Sequence, residues 1–156
     1  MNFQINALPK DTFAPLFDLS DADLAARKTR RMVVDTSPGV PCRVSLADAE
    51  LGETVILTNY EHLPADSPYR SRHAVYIREN AVQATPSVNE VPRMIQRRLL
   101  SLRFFNADHM MVHADVVAGE DAAATLSQAL DRQDIQYGHI HIAKPGCFAA
   151  AVRPLR

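Results

Sequence analysis

The 156 residues suit one domain around one hydrophobic core. A formal net charge of −1 and an ordinary 22% charged content give no case for nucleic acid or an anionic membrane as a partner. No apolar run spans a bilayer, no secretory signal opens the chain, and two cysteines are too few for a disulfide framework, so a cytoplasmic protein with free thiols is expected.

Taken in order, residues 1–10 alternate apolar and polar and predict a short strand ending at Pro9. A helical turn over Phe13 to Phe17 follows. Ser20 then reads as an N-cap, with Asp21 and Asp23 in the first turn of a short helix. The β-favouring Met32-Val33-Val34 ends it. Ser37 to Pro41 is a turn cluster, and Glu53 to Tyr60 is a strand. His62 to Ser71, with Pro64 and Pro68, reads as a loop before a strand over His73 to Arg78.

Arg98 to Phe105 and Met110 to Val117 form a predicted hairpin pairing Phe104 with Met111 and Leu102 with His113. Asp121 to Arg132 is the clearest helix. Ile135 to Ala143 and Cys147 to Arg153 make a last hairpin across Lys144-Pro145-Gly146, where Gly146 can take positive φ. The predicted register sets His141 opposite Ala149 and His139 opposite Ala151. It puts Ile140, Ile142 and Phe148 on the core face. The expected fold is α+β, mostly antiparallel β, a sandwich or half-open barrel, with one main helix near 121–132 and a short N-terminal helix.

The chemistry concentrates in that last hairpin. His139 and His141 stand at i, i+2 and share a strand face. With Cys147 diagonal to His141 they form a candidate zinc set, with His73 or His113 as a completing ligand. The same spacing also suits two partly exposed histidines on a solvent face. Cys147 with His141 as base is a candidate thiol site, and Cys42 beside Arg43 is a second. His113 and Asp115 share a strand face, as acid–base partners or as a histidine at the core edge. The polar stretch from Tyr60 to His73 offers Tyr60, His62, Tyr69, Arg70 and His73 for an anionic or aromatic small molecule. No dinucleotide, P-loop or nucleophile-elbow motif is present.

The order of Val40-Pro41-Cys42-Arg43-Val44-Ser45-Leu46, Gly52-Glu53, Asn59-Tyr60, Ser67-Pro68-Tyr69, Arg98 to Arg103, His113 to Val117 and Gly146-Cys147-Phe148-Ala149 resembles the bacterial family called domain of unknown function 1203. The resemblance implies a small bacterial protein without an established activity. It favours Cys42, Arg43 and Cys147 as site residues over His73, His139 and His141. Because no enzymatic motif is complete, the sequence favours a small-ligand-binding or interaction domain. An enzyme using a thiol or a metal is the alternative, and exposed edge strands leave a homodimer open.

Overall fold

The computed structural model describes all 156 residues. The chain opens with β1 (Asn2–Asn6), where Phe3 and Ile5 point inward between polar neighbours. Then come α1 (Lys10–Phe13), a 3-10 turn over Ala14–Asp18, and α2 (Asp21–Ala26). The Ser20 hydroxyl caps α2 as the sequence predicts, accepting from the Asp23 N–H at 3.1 Å.

Two antiparallel sheets follow. β2 (Thr29–Val33), β3 (Thr54–Leu63) and β4 (Ser71–Arg78) form the smaller, in that order. The larger has the order β1-β8-β7-β5-β6, built with β5 (Leu99–Phe105), β6 (Met111–Ala118), β7 (Tyr137–Ile142) and β8 (Phe148–Leu155). The two sheets do not close into a barrel. Two helices lie between these strands in sequence: α3 (Arg93–Gln96), which no sequence signal predicts, and α4 (Ala122–Ala129). A 3-10 turn over Gly119–Asp121 leads into α4, which ends earlier than its apolar pattern suggests.

Strand alternation divides the interior in two. Ile140 and Ile142 of β7 pack with Leu100, Leu102 and Phe104 against Leu126 and Leu130 at α4. The opposite face of β7 carries His139 and His141. On that side a second cluster joins Ile56, Val75 and Ile77 of the smaller sheet to Phe13, Cys42, Val44 and Phe148. His139 and His141 are therefore covered by the second sheet and lie 5% and 0% exposed, not on a solvent face.

Two registers differ from expectation. In the β5–β6 hairpin, Phe104 pairs with His113 and Leu102 with Asp115, a slip of two residues. His109 takes φ 59° in the turn, and a bulge falls between Phe104 and Phe105. A slip of two keeps every side chain on its face, so His113 and Asp115 still share a face with Leu102. In the β7–β8 hairpin a bulge between Ile140 and His141 is decisive. His139 pairs with Ala151 as predicted, but His141 pairs with Phe148 instead of Ala149. Two β8 residues here oppose one of β7. Phe148 thus leaves the predicted core face and joins the histidines, while Ala149 enters the helix-side core.

Candidate functional site

Four histidines meet between the sheets. His139 and His141 come from the alternation of β7, and His73 from β4, directly opposite Tyr60. His62 lies inside β3, not in the predicted loop. The β3–β4 register breaks between Glu61 and Leu63, leaving His62 as the unpaired bulge residue. A bulge re-aims its side chain, and here it brings the ring into the space between the sheets. Phe148 stacks on the His62 ring at a centroid distance of 4.9 Å and stands edge-on to His139 at 5.0 Å.

The nitrogens converge. One ring nitrogen from each of His62, His139 and His141 lies within 4.8 Å of the others. His62 Nδ1 is 3.4 Å from His139 Nδ1, and His62 Nε2 is 3.0 Å from His73 Nδ1. His141 Nδ1 lies 3.0 Å from the Gly146 carbonyl oxygen, which can only accept, so Nδ1 carries the proton. That fixes Nε2 as a bare lone pair, buried and without a partner. Gly146 presents this carbonyl from the turn at φ +76°, the positive φ its sequence position predicts.

Burial is the main force on the rings. It pushes His62 down to about 4 and His139 and His141 down to about 3, and it lowers His73 as well. The charged groups adding to this are cationic: Arg103 acts on all four rings, and Arg43 on His73. Arg103 stands on β5 opposite His139, a neighbour that the sequence reading omits. All four rings are therefore neutral at pH 7, the form in which imidazole binds metals.

The thiols are placed differently. Cys147 Sγ accepts from the Arg43 guanidinium at 2.9 Å and belongs to no cluster of ligand nitrogens. His141, the candidate base, donates its Nδ1 proton to Gly146 and keeps Nε2 as its free lone pair. Arg43 is 1% exposed and also donates to the carbonyls of Phe148 and Pro41, and burial pushes its guanidinium down. Cys42 is fully buried and accepts from the Ser45 and Arg78 N–H groups, a packed thiol without a histidine. Arg43 and Cys147 line a cavity of about 590 Å³ together with His73.

The Tyr60–His73 stretch divides between inside and outside. His62 and His73 face the cluster. Tyr60 packs on Phe13 at 5.4 Å, and Tyr69 stands edge-on to Phe105 at 6.1 Å. Arg70 and Arg72 are engaged at the surface by Glu61, at 2.7 and 3.5 Å. Of the predicted residues, the structure brings His62, His73, His139 and His141 together and sets Arg43 with Cys147 beside them. It leaves Cys42, Tyr69 and Arg70 apart.

A family model described as protein of unknown function (DUF1203) matches residues 39–154. The chain belongs to that family. The DUF1203 match takes in all four converging histidines, Arg43 and both cysteines. No curated protein and no solved structure matches the chain.

Proposed function

We propose that the chain binds a divalent transition-metal ion, of a kind that imidazole suits and with zinc as the ion to test, through His62, His139 and His141. The observation that carries this reading is the buried, unpartnered Nε2 of His141, whose tautomer the Gly146 carbonyl fixes. Leaving such a group unsatisfied costs about 1–3 kcal/mol, and a bound ion removes that cost. His62 supports the reading. If its Nε2–H donates to His73, its Nδ1 lone pair faces His139. Two ligands of a tetrahedral zinc with bonds of about 2.0–2.1 Å stand about 3.3–3.4 Å apart, close to the 3.4 Å between the two Nδ1 atoms.

Three neutral imidazoles leave a fourth position for water or substrate, the pattern of catalytic zinc sites. A metal there supplies Lewis acidity and lowers the pKa of bound water, which suits hydrolytic or lyase chemistry. His73 and the Gly146 carbonyl act from behind, holding the rings of His62 and His141 in the ligating orientation. Burial has already disfavoured the protonated rings, so protons compete weakly with metal at neutral pH.

A competing reading has one observation in its favour. The contacts from His73 through His62 to His139 also suit a chain of hydrogen bonds in a small-molecule-binding protein without metal. Elemental analysis of untagged protein separates the two. The metal reading expects about one zinc per chain, lost in the His139→Ala/His141→Ala variant. Folded wild type that takes up no metal when dialysed against zinc overturns it.

A further inference from the structure

We infer that the cavity beside the histidines is a binding site for a small organic anion with an apolar body. That this anion is the substrate of the metal site rests on the metal reading; that the cavity binds it does not.

The cavity holds about 590 Å³, within the range of ordinary small-molecule sites. Its lining is one-sided in charge. Arg43, Arg97, Arg98 and Lys144 contribute cations, and no carboxylate lines it. Asp48, behind the wall, engages both Arg98 and Arg97, and so offsets only one of these charges. Lys144 has no ion pair. The buried Arg43 has two carbonyls and a thiol as partners and no carboxylate. A cleft lined by one sign of charge within low-dielectric walls concentrates the opposite sign.

The remaining wall is apolar, with Leu57, Leu99, Ile142 and Pro145 among its members. Such walls suit a hydrocarbon or aromatic body and give a bare inorganic ion nothing. Guanidinium groups match a carboxylate or phosphate head through paired N–H donors. His73 connects this cavity to the metal cluster: it lines the cavity and sits 3.0 Å from His62. Arg103, opposite His139 across the β5–β7 pair, adds a further cation near the rings. A ligand entering here would bring a negative charge to a site whose own charged neighbours are cationic.

The test titrates metal-free protein with 1-anilinonaphthalene-8-sulfonate and competes the probe away. Naphthalene-2-carboxylate and 2-naphthyl phosphate are expected to displace it, and the better of the two names the head group. Naphthalene-2-carboxamide should compete about tenfold more weakly, because it lacks the charge. Lys144→Glu, at an exposed turn position, should weaken the anions by a similar factor, and Arg97→Gln by less, with zinc content unchanged in both. The inference is overturned if the carboxamide competes as well as the carboxylate, if inorganic phosphate competes as well as the naphthyl anions, or if neither variant alters their affinity. Anion binding without zinc uptake would retire the metal site and leave the cavity; zinc uptake without anion binding would do the reverse.

Discussion

Two groups of histidines divide this molecule. His109 and His113 sit on the β5–β6 hairpin, where each has an ordinary neighbour. The Nδ1 of His109 meets the Tyr137 hydroxyl at 2.8 Å, and His113 stacks on Phe104 at 5.6 Å. His62, His73, His139 and His141 lie between the sheets, where they are one another's neighbours. Residue type is the same in both places. What differs is that the inner rings lose water, bring ring nitrogens together, and include one, His141, whose tautomer a backbone carbonyl fixes from behind. That combination, more than the presence of histidine, argues for a bound ion.

The largest expected effect removes the inner pair. His139→Ala/His141→Ala should abolish zinc uptake, while His109→Ala/His113→Ala should leave it intact. Zinc at a hundredfold excess over its dissociation constant should stabilise the wild type and the outer variant by about 2.7 kcal/mol, and the inner variant not at all. Denaturant titrations with and without zinc read this directly. Equal stabilisation of all three proteins would dissolve the distinction between the two groups.

Acid should act through the inner rings next. In the unfolded chain a histidine titrates near 6.5, whereas His62, His139 and His141 titrate at about 4, 3 and 3 in the folded protein. Above pH 6.5 both states hold these rings neutral, and they contribute no pH dependence. As the pH falls below that value the unfolded state takes up protons that the native state excludes. Stability of the metal-free protein should then drop by up to about 1.4 kcal/mol per pH unit for each ring, levelling off as the folded values are reached. Urea midpoints that stay flat from pH 7 to 4.5 would mean the rings are not buried as described.

A smaller effect separates positioning from backbone strain. Gly146→Ala places a side chain at φ +76°, at a cost of about 1–2 kcal/mol, and disturbs the carbonyl that fixes His141. Gly52→Ala carries similar strain at φ +84° in a turn outside the histidine cluster. Both should lose stability, but only Gly146→Ala should weaken zinc. The smallest expected difference concerns the thiols. Iodoacetamide should label Cys147, which lines the cavity, well before the fully buried Cys42. Bound zinc should not block that labelling, because Cys147 is not a ligand in this account.

Much of the fold was legible because it follows from local chemistry. Ser20 caps its helix, Gly146 turns the last hairpin, and the β7 alternation separates isoleucines from histidines. The pairing of His139 with Ala151 came from the same alternation. The site was less legible, because it depends on two bulges. One re-aims His62 out of what reads as a loop beginning, and the other moves Phe148 onto the histidine face. Bulges carry no fixed sequence signature, and a single added residue reverses which face a side chain takes. The tautomer of His141 depends on a carbonyl five residues on, and the covering of β7 depends on strands some eighty residues earlier. Neither relation is visible in the spacing of residues.

Cobalt(II) titration of the metal-free protein, beside Cys147→Ser, tests the three-histidine centre most directly, because the spectrum reports both geometry and ligand type. The account predicts saturation at one ion per chain, intense visible bands of four-coordinate cobalt, no thiolate-to-cobalt charge-transfer band, and the same spectrum in Cys147→Ser. No uptake, or a thiolate band that disappears in Cys147→Ser, would contradict it.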